Sequence, residues 1–423
     1  KSYILSLNIK DLSKECGVEI YTIEELVKLY CQKYSTILLG FGMQKYKNGG
    51  MTIRLIDALG AITGQIGFSG GGVNYANKVY PKILNTDPYD SEKFSNNRYY
   101  YTNEISEFIE KCNLGNTYYK NDIFINHEDD KGDYELNIPI KMAIITKSNL
   151  LNQLANINNL KRALSKVEFK VCFDMFITDT VKECDLFIPV TSQLESEDLL
   201  FSSMMNPYLV YNEKILEPQE KLMDEYYFFM EVAKRLKMSN YPIVTKKEYL
   251  EKVIYPLKNI NSDISLEYLK NNYFTLHKDV AWSDKNFVNE SGKFEIINCE
   301  EIKKFEDNKY KDISKLRLLT NHGRDSLSSQ HFIDEEGMSI AYINENMSKS
   351  LDIDNDEIVY LKSENGQIKV RIKIDSSISD KVVMMFVGWW EKHGNPNVLT
   401  NSGISDIGGQ ITYNETFVDI IKI

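Results

Sequence analysis

The chain has 423 residues, 43% of them hydrophobic and 26% charged, the composition of a globular protein with about two to three domains and a sizeable core. Its net charge of −11 and pI near 5.2, with no dense Lys/Arg stripe, speak against a nucleic-acid surface or an anionic membrane face and favour small-molecule or protein partners. The six cysteines and five histidines show no C-x-x-C or H-E-x-x-H spacing, which argues against a zinc site, an iron–sulfur cluster or a disulfide framework in these residues and makes a reducing, cytoplasmic compartment the expectation.

No apolar run reaches the roughly 18 residues of a membrane-spanning helix. The chain opens "KSYILSLNIKDL" without a methionine, so the expectation is of further sequence upstream, where an export signal would also lie. Residues 7 to 31 read as a polar cap and a helix, "TIEELVKLYCQKY", with Thr22 and Glu25 spaced as a capping box. "STILLG" follows as a short buried strand. Ile53, Ile56, Leu59 and Ala61/Ile62 then recur at helical spacing up to Gly64. Residues 77 to 136 carry no firm period apart from a predicted helix near 103 to 112.

A clear α/β run comes next: strand "IKMAIIT", helix "NLLNQLANINNLKRAL", strand "VEFKVCF", helix "TDTVKEC" and strand "DLFIPV". This alternation predicts a doubly wound, mostly parallel sheet. From 241 to 310 the sequence is weakly periodic and reads as a connection wrapped over the surface. After 311 the pattern becomes β-rich: "KLRLLTN", "EIVYLKSENGQIKVRIKID", "KVVMMFVGWW" and "FVDIIKI" read as strands, with "ENG" as a hairpin turn. The predicted organisation is therefore an α/β core over 1–240, a connection over 241–310 and a β-barrel over 311–423.

Ligands of open parallel sheets settle outside the carboxyl ends of the strands. At those positions stand Gly40, Gly42, Gln44 and Lys45; then Lys147, Ser148 and Asn149; then Asp174 with Thr178; then Thr191. Glycine, amide, hydroxyl and carboxylate together suit a nucleotide-like ligand, because glycines admit backbone N–H groups to a diphosphate and an Asp accepts paired hydrogen bonds. Each has a plainer reading: Gly40 and Gly42 as a tight turn, Asp174 and Thr178 as a helix N-cap and its neighbour, Gly70 to Gly72 as a crossing between subdomains. Trp389 and Trp390, adjacent on a strand, are expected on opposite faces, mainly as core. "ESED" at 195 to 198 reads as a solvated face, with Glu195 structural, and His127, His277 and His331 as surface residues.

Four longer stretches break the tie. "GFGMQKYKNGGMTIRLIDALGAITGQIGFSGGGVNYA", "FDMFITDTVKECDLFIPVTSQLESEDL", "LRLLTNHGRDSLSSQ" and "GWWEKHGNPNVLTNSGISDIGGQITYNETFVDI" resemble, in order, segments of the molybdopterin oxidoreductases, the dimethyl-sulfoxide-reductase-like family. The resemblance runs from residue 37 to 423. It implies that family's α/β domains followed by a six-stranded double-psi-like β-barrel, and a bis-molybdopterin guanine dinucleotide cofactor carrying molybdenum or tungsten.

The same resemblance implies that Gly40, Gly42 and Gln44 border one dinucleotide and that Ser148, Asn149, Asp174 and Thr178 border the other. Thr320, His322, Arg324, Ser329, Gln330, Asn397 and Tyr413 would close over both from the barrel, Arg324 offering its planar fork of donors to phosphate or pterin. Gly40 and Gly42 would let the main chain approach the cofactor, and Gly70 to Gly72 would let a loop fold tightly beneath it.

The family's N-terminal C-x-x-C-x-x-x-C motif and its metal-ligating Cys, selenocysteine, Ser or Asp have no counterpart in these residues. "SNLLNQ" and "SENGQ" also depart from the family's turns. The expectation is thus the C-terminal part of an oxidoreductase, inactive alone, whose 4Fe-4S cluster and metal ligand lie upstream. It would act on a small-molecule substrate beside an iron–sulfur electron-transfer subunit, without a membrane span. The alternative is a catalytically inactive cofactor-binding or structural subunit of a redox complex.

Overall fold

A computed structural model describes residues 2–32, 35–75, 83–90, 101–113, 139–201, 207–219, 222–275, 280–298, 300–302, 315–324, 326–330 and 337–423. The N-terminal region is three helices rather than one: α1 Ser2–Ser6, α2 Ile9–Cys16 and α3 Ile20–Tyr30. The Asn8 side chain caps α2 by accepting from the Lys10 amide at 2.9 Å, and Gly17 ends it in the left-handed region at φ 68. Helix α3 starts at Ile20, two residues before Thr22, with Glu19 as its N-cap, and no side chain caps it. The Thr22/Glu25 spacing is therefore not used as a capping box.

Strand β1, Thr36–Leu38, leads through a 3-10 turn, Phe41–Lys45, into helix α4, Gly49–Ile62. Strand β2, Gly72–Asn74, returns parallel to β1, pairing Thr36 with Gly72 and Leu38 with Asn74. These two strands form a sheet of their own. Helix α5, Ile105–Asn113, follows a 3-10 turn over Thr102–Glu104.

Next come β3 Met142–Thr146, α6 Leu150–Gln153, α7 Ile157–Leu164, β4 Phe169–Asp174, α8 Asp179–Lys182 and β5 Leu186–Pro189. The expected single helix over 149–164 is broken because Asn156 sits in the left-handed region at φ 50 and caps α7 instead. The sheet is parallel with order β3-β4-β5. Its central strand reads as an almost unbroken buried run, as a strand covered on both faces must.

Strands β6 Asp198–Phe201, β7 Tyr208–Asn212 and β8 Phe274–Thr275 form a three-stranded antiparallel sheet. Helices α9 Glu225–Arg235, α10 Lys246–Ile254 and α11 Leu266–Asn271 intervene between β7 and β8. The expected surface connection is in this part a packed body. Ile254, Leu257 and Ile264 are fully buried and cluster with Leu199, Leu209 and Phe274, a core that weak periodicity concealed because its apolar residues sit on short helices.

The remaining elements are β9 Leu316–Asn321, β10 Ile340–Ile343, α12 Glu345–Leu351, β11 Ile358–Lys362, β12 Gln367–Ile374, β13 Val382–Phe386 and β14 Thr416–Lys422. They close a barrel in the order β10-β12-β11-β14-β9-β13. The β11–β12 hairpin pairs Lys362 with Gln367 across the "ENG" turn as expected. Burial alternates along these strands, and the inward set, including Leu318, Val359, Leu361, Val370, Ile372, Val383 and Met385, forms one core. Among the described residues no helix is long and apolar enough to cross a membrane.

Asparagines tie the barrel to the α/β part. Nδ2 of Asn395 donates to the Leu151 carbonyl at 3.0 Å, Nδ2 of Asn397 to the Asn152 carbonyl at 2.7 Å, and Nδ2 of Asn152 to the Trp389 carbonyl at 2.9 Å. All three side chains are buried, so each amide fills a backbone acceptor that would otherwise be orphaned. The Asn-rich composition is thus used at this seam.

Candidate functional site

Gly40 and Gly42 follow β1 without needing a glycine for backbone reasons, and a Cβ at either would meet no protein atom within 4 Å. The loop is open where the sequence reading expects a ligand. The triple glycine differs. Gly70 and Gly72 have φ of 81° and 94°, and a Cβ on Gly71 would stand 2.5 Å from the Gln65 carbonyl oxygen, so this loop folds only with glycine.

The start of α4 is closed to anions by the protein itself. The Gly50 and Met51 amides each donate to the Asp406 carboxylate at 2.9 Å, a cap delivered by the barrel. Any anion held beyond β1 must use the 41–45 turn. There Gln44 accepts from the Tyr75 hydroxyl at 2.5 Å. The Lys45 ammonium donates to the Thr320 carbonyl at 3.2 Å and lies 5.5 Å from the centre of the Tyr413 ring. Among the described residues no carboxylate pairs with Lys45, and burial lowers its pKa.

Thr320, next to last in β9, is 1% exposed, and its Oγ1 is buried without a hydrogen-bond partner. His322, two residues on, has its pKa lowered first by burial and then by the charge of Lys45. Burial pushes the Tyr413 phenol up to about 12, while its hydroxyl donates to the Gln153 carbonyl at 2.9 Å. The turn after β1 and the exit of β9 therefore meet around Lys45.

The same barrel segment reaches the end of β3. Asn149 is buried, its Nδ2 donating to Ser329 Oγ at 3.1 Å and its Oδ1 accepting from Thr180 Oγ1 at 2.7 Å. Trp390 Nε1 donates to the Ser329 carbonyl at 3.1 Å. Lys147, with φ of 51°, turns out after β3 to stand 3.7 Å from Glu225. Residues 320–324 and 326–330 thus lie at the carboxyl edges of two parallel units, with Ser148 half-buried and Arg324 and Gln330 exposed along the way.

The predicted site residues divide accordingly. Gly40, Gly42, Gln44, Thr320, His322 and Tyr413 gather about the first strand end, and Asn149 and Ser329 about the second. Asp174 folds its carboxylate back to accept from the Met175 and Phe176 amides at 2.7 and 3.2 Å. Thr178 is the N-cap of α8, accepting from Val181 at 3.3 Å. Asn397 belongs to the seam. Both tryptophans are buried, but they lie beyond the end of β13, so strand alternation does not govern them, and they share the interior. Glu195 closes a capping box with Ser192, a structural role. His127, His277 and His331 lie outside the described residues.

Glu225 escapes sequence reasoning. It is brought to the carboxyl edge because Met223 bridges Val190 just past β5. Burial raises its pKa against the opposing charge of Lys147, and its Oε1 is buried without a hydrogen-bond partner. Only its place at the start of a helix, after an N-capping Asp224, could have signalled it.

A barrel segment thus runs past two strand ends, beside a lysine that meets no carboxylate among the described residues and a buried hydroxyl without a hydrogen bond. The chain belongs to the molybdopterin oxidoreductase family: residues 8–235 match the family model described as molybdopterin oxidoreductase, and residues 318–417 match that of the molydopterin dinucleotide binding domain. It is similar to the probable oxidoreductase YyaE of Bacillus subtilis, 28% identical, covering 100% of this chain and 63% of the relative. It is also similar to the F420-dependent formate dehydrogenase subunit alpha of Methanocaldococcus jannaschii, 24% identical, covering 93% and 59% respectively. The chain thus spans about three fifths of these relatives. In fold it matches the acetylene hydratase from Pelobacter acetylenicus with a TM-score of 0.53 at 18% identity, over 68% of this chain and 45% of that one.

Proposed function

We propose that this chain forms the larger part of the cradle for a bis-molybdopterin guanine dinucleotide cofactor in an oxidoreductase acting on a small molecule. When bound, that cofactor supplies two-electron redox or oxygen-atom-transfer chemistry through molybdenum or tungsten. The chain's own part is to bind, orient and neutralise. Lys45 and Arg324 offer cations to phosphate, Gly40 and Gly42 leave the main chain approachable, and Thr320 Oγ1 offers an unmet donor and acceptor. His322, Gln44, Ser148 and Gln330 line the way between the strand ends.

Asn149, Ser329, Asn397 and Tyr413 hold the two lobes in register. Asp174 and Thr178 shape the loop whose backbone faces the second dinucleotide. In this reading the lobes divide near residue 311, the α/β part being Rossmann-like over 1–240 and the barrel of double-psi type over 311–423. The iron–sulfur cluster, the metal ligand and an electron-transfer partner belong to sequence outside these residues.

The observation that carries the proposal is Lys45. Among the described residues this half-buried ammonium bonds a carbonyl and an aromatic face and meets no carboxylate, so it is poorly compensated unless an anion joins it. The test is metal, pterin and nucleotide analysis of the full-length gene product made anaerobically. Molybdenum or tungsten with guanine nucleotide is expected, and a folded product with neither defeats the proposal.

A further inference from the structure

Two thiols that the cofactor reading leaves unused lie together behind the Asp174–Thr178 loop. Cys172 is in β4 and wholly buried; Cys184 follows α8, is partly exposed, and packs on the cluster of Ile145, Cys172 and Val181. Both are free, whereas Cys16 and Cys31 are exposed and Cys112 is buried in a separate cluster with Phe108. Cys184 Sγ donates to the Thr180 carbonyl at 3.2 Å, which fixes the thiol against the preceding helix α8.

The charged groups facing the pair are Lys170, Asp185, Glu183 and Asp174. The Lys170 ammonium is buried and 3.1 Å from Asp185. The hydrogen bond between the thiols raises Cys172 and lowers Cys184; burial raises both, and at Cys184 the charge of Lys170 favours the thiolate while Asp185 and Glu183 oppose it, the net direction being downward. Cys184 is the partly exposed residue of the two, and its pKa is the lowered one. The other is sealed and has the first as its neighbour, the arrangement of an attacking and a resolving thiol.

We infer that Cys184 and Cys172 are a redox-active dithiol which a hydroperoxide converts to a disulfide across the β4–α8–β5 crossover. The Cys184 thiolate attacks the peroxide oxygen and the O–O bond breaks. The departing alkoxide takes up the proton that Cys184 released, and a sulfenic acid remains. The Cys172 thiol then attacks that sulfur, the S–O bond breaks, and water leaves with the Cys172 proton. The two thiols lose two electrons and the hydroperoxide gains them. The bond ties the strand that carries Asp174 to the far end of the helix that Thr178 caps, so the intervening loop is held in place. The inference is independent of the cofactor reading.

The test treats the full-length protein with stoichiometric hydroperoxide, alkylates it and maps its peptides. The expected result is a cross-link between the peptides bearing Cys172 and Cys184, lighter by about two mass units and reversed by a dithiol. Cys172→Ala should stop at a sulfenic acid on Cys184, trapped by a cyclic dione, and Cys184→Ser should leave Cys172 reduced. Equal alkylation of both thiols before and after oxidant overturns the inference, as does a cross-link that survives in Cys184→Ser through another cysteine. Should Cys172→Ala fail to fold, the wild-type map and Cys184→Ser decide the matter alone.

Discussion

Replacing Lys45 by Met keeps the stem beneath Tyr413 and removes only the charge, so it separates stability from binding. In the free protein the ammonium has one carbonyl acceptor and an aromatic face, and burial lowers its pKa. A Lys whose folded pKa lies below its unfolded value stabilises the fold above about pH 10.5 and loses that contribution as pH falls through the folded pKa. Near neutrality the charge is therefore a cost, and Lys45→Met should leave stability unchanged or raise it by up to about 1 kcal/mol.

Binding should move the other way. A charge-assisted hydrogen bond to phosphate contributes about 1.5–3 kcal/mol, and about 2 kcal/mol corresponds to roughly 30-fold in affinity. Titration calorimetry with guanosine diphosphate, beside urea denaturation of the same samples, checks both signs. The stability gained by the variant should also shrink as pH rises toward 10, because wild type then sheds its proton. Undiminished guanosine diphosphate affinity in Lys45→Met would refute the assignment of this cation to a ligand.

The two glycine sites should respond oppositely to one methyl group. Gly71→Ala drives a Cβ against the Gln65 carbonyl and the Phe68 ring and should cost about 2–3 kcal/mol in a denaturation curve, whereas Gly42→Ala meets open space and should stay within about 0.5 kcal/mol. Asp406→Ala removes the acceptor for two amides at the start of α4. It should cost about 1–2 kcal/mol and speed hydrogen exchange at Gly50 and Met51 above all other amides of the helix; uniform exchange along α4 contradicts the capping role. Asn397→Ala strips a donor from the Asn152 carbonyl and an acceptor from Thr400, both bonds buried. A loss of about 2–4 kcal/mol is expected, and a denaturation midpoint equal to wild type would disprove the seam's importance.

What the sequence determined by itself is whatever depends on neighbours along the chain. The alternation in β9 and β11 to β14, the apolar runs of β3 to β5 and the spacing of Ile53, Ile56 and Leu59 each repeat at the period of one element, whereas the four residues of β10 are too few to show one. A barrel and a parallel sheet were therefore legible, and so was a loop that only Gly70 to Gly72 could fold. The packed helices 246–254 and 266–271 were not, because their buried faces are too short to display a period.

Only the tertiary structure decided which polar side chains are spent within the protein. Asp174, Thr178, Asn397 and Asn149 carry the same donors and acceptors whether they face a ligand or a neighbouring backbone, and sequence cannot tell the two apart. The same holds for Lys45, which meets no carboxylate among the described residues, and for Asp406, which meets α4 from more than 350 residues away. Satisfaction of a charge or an amide is a property of three-dimensional surroundings, because burial sets its cost and the partner that offsets it comes from any part of the chain.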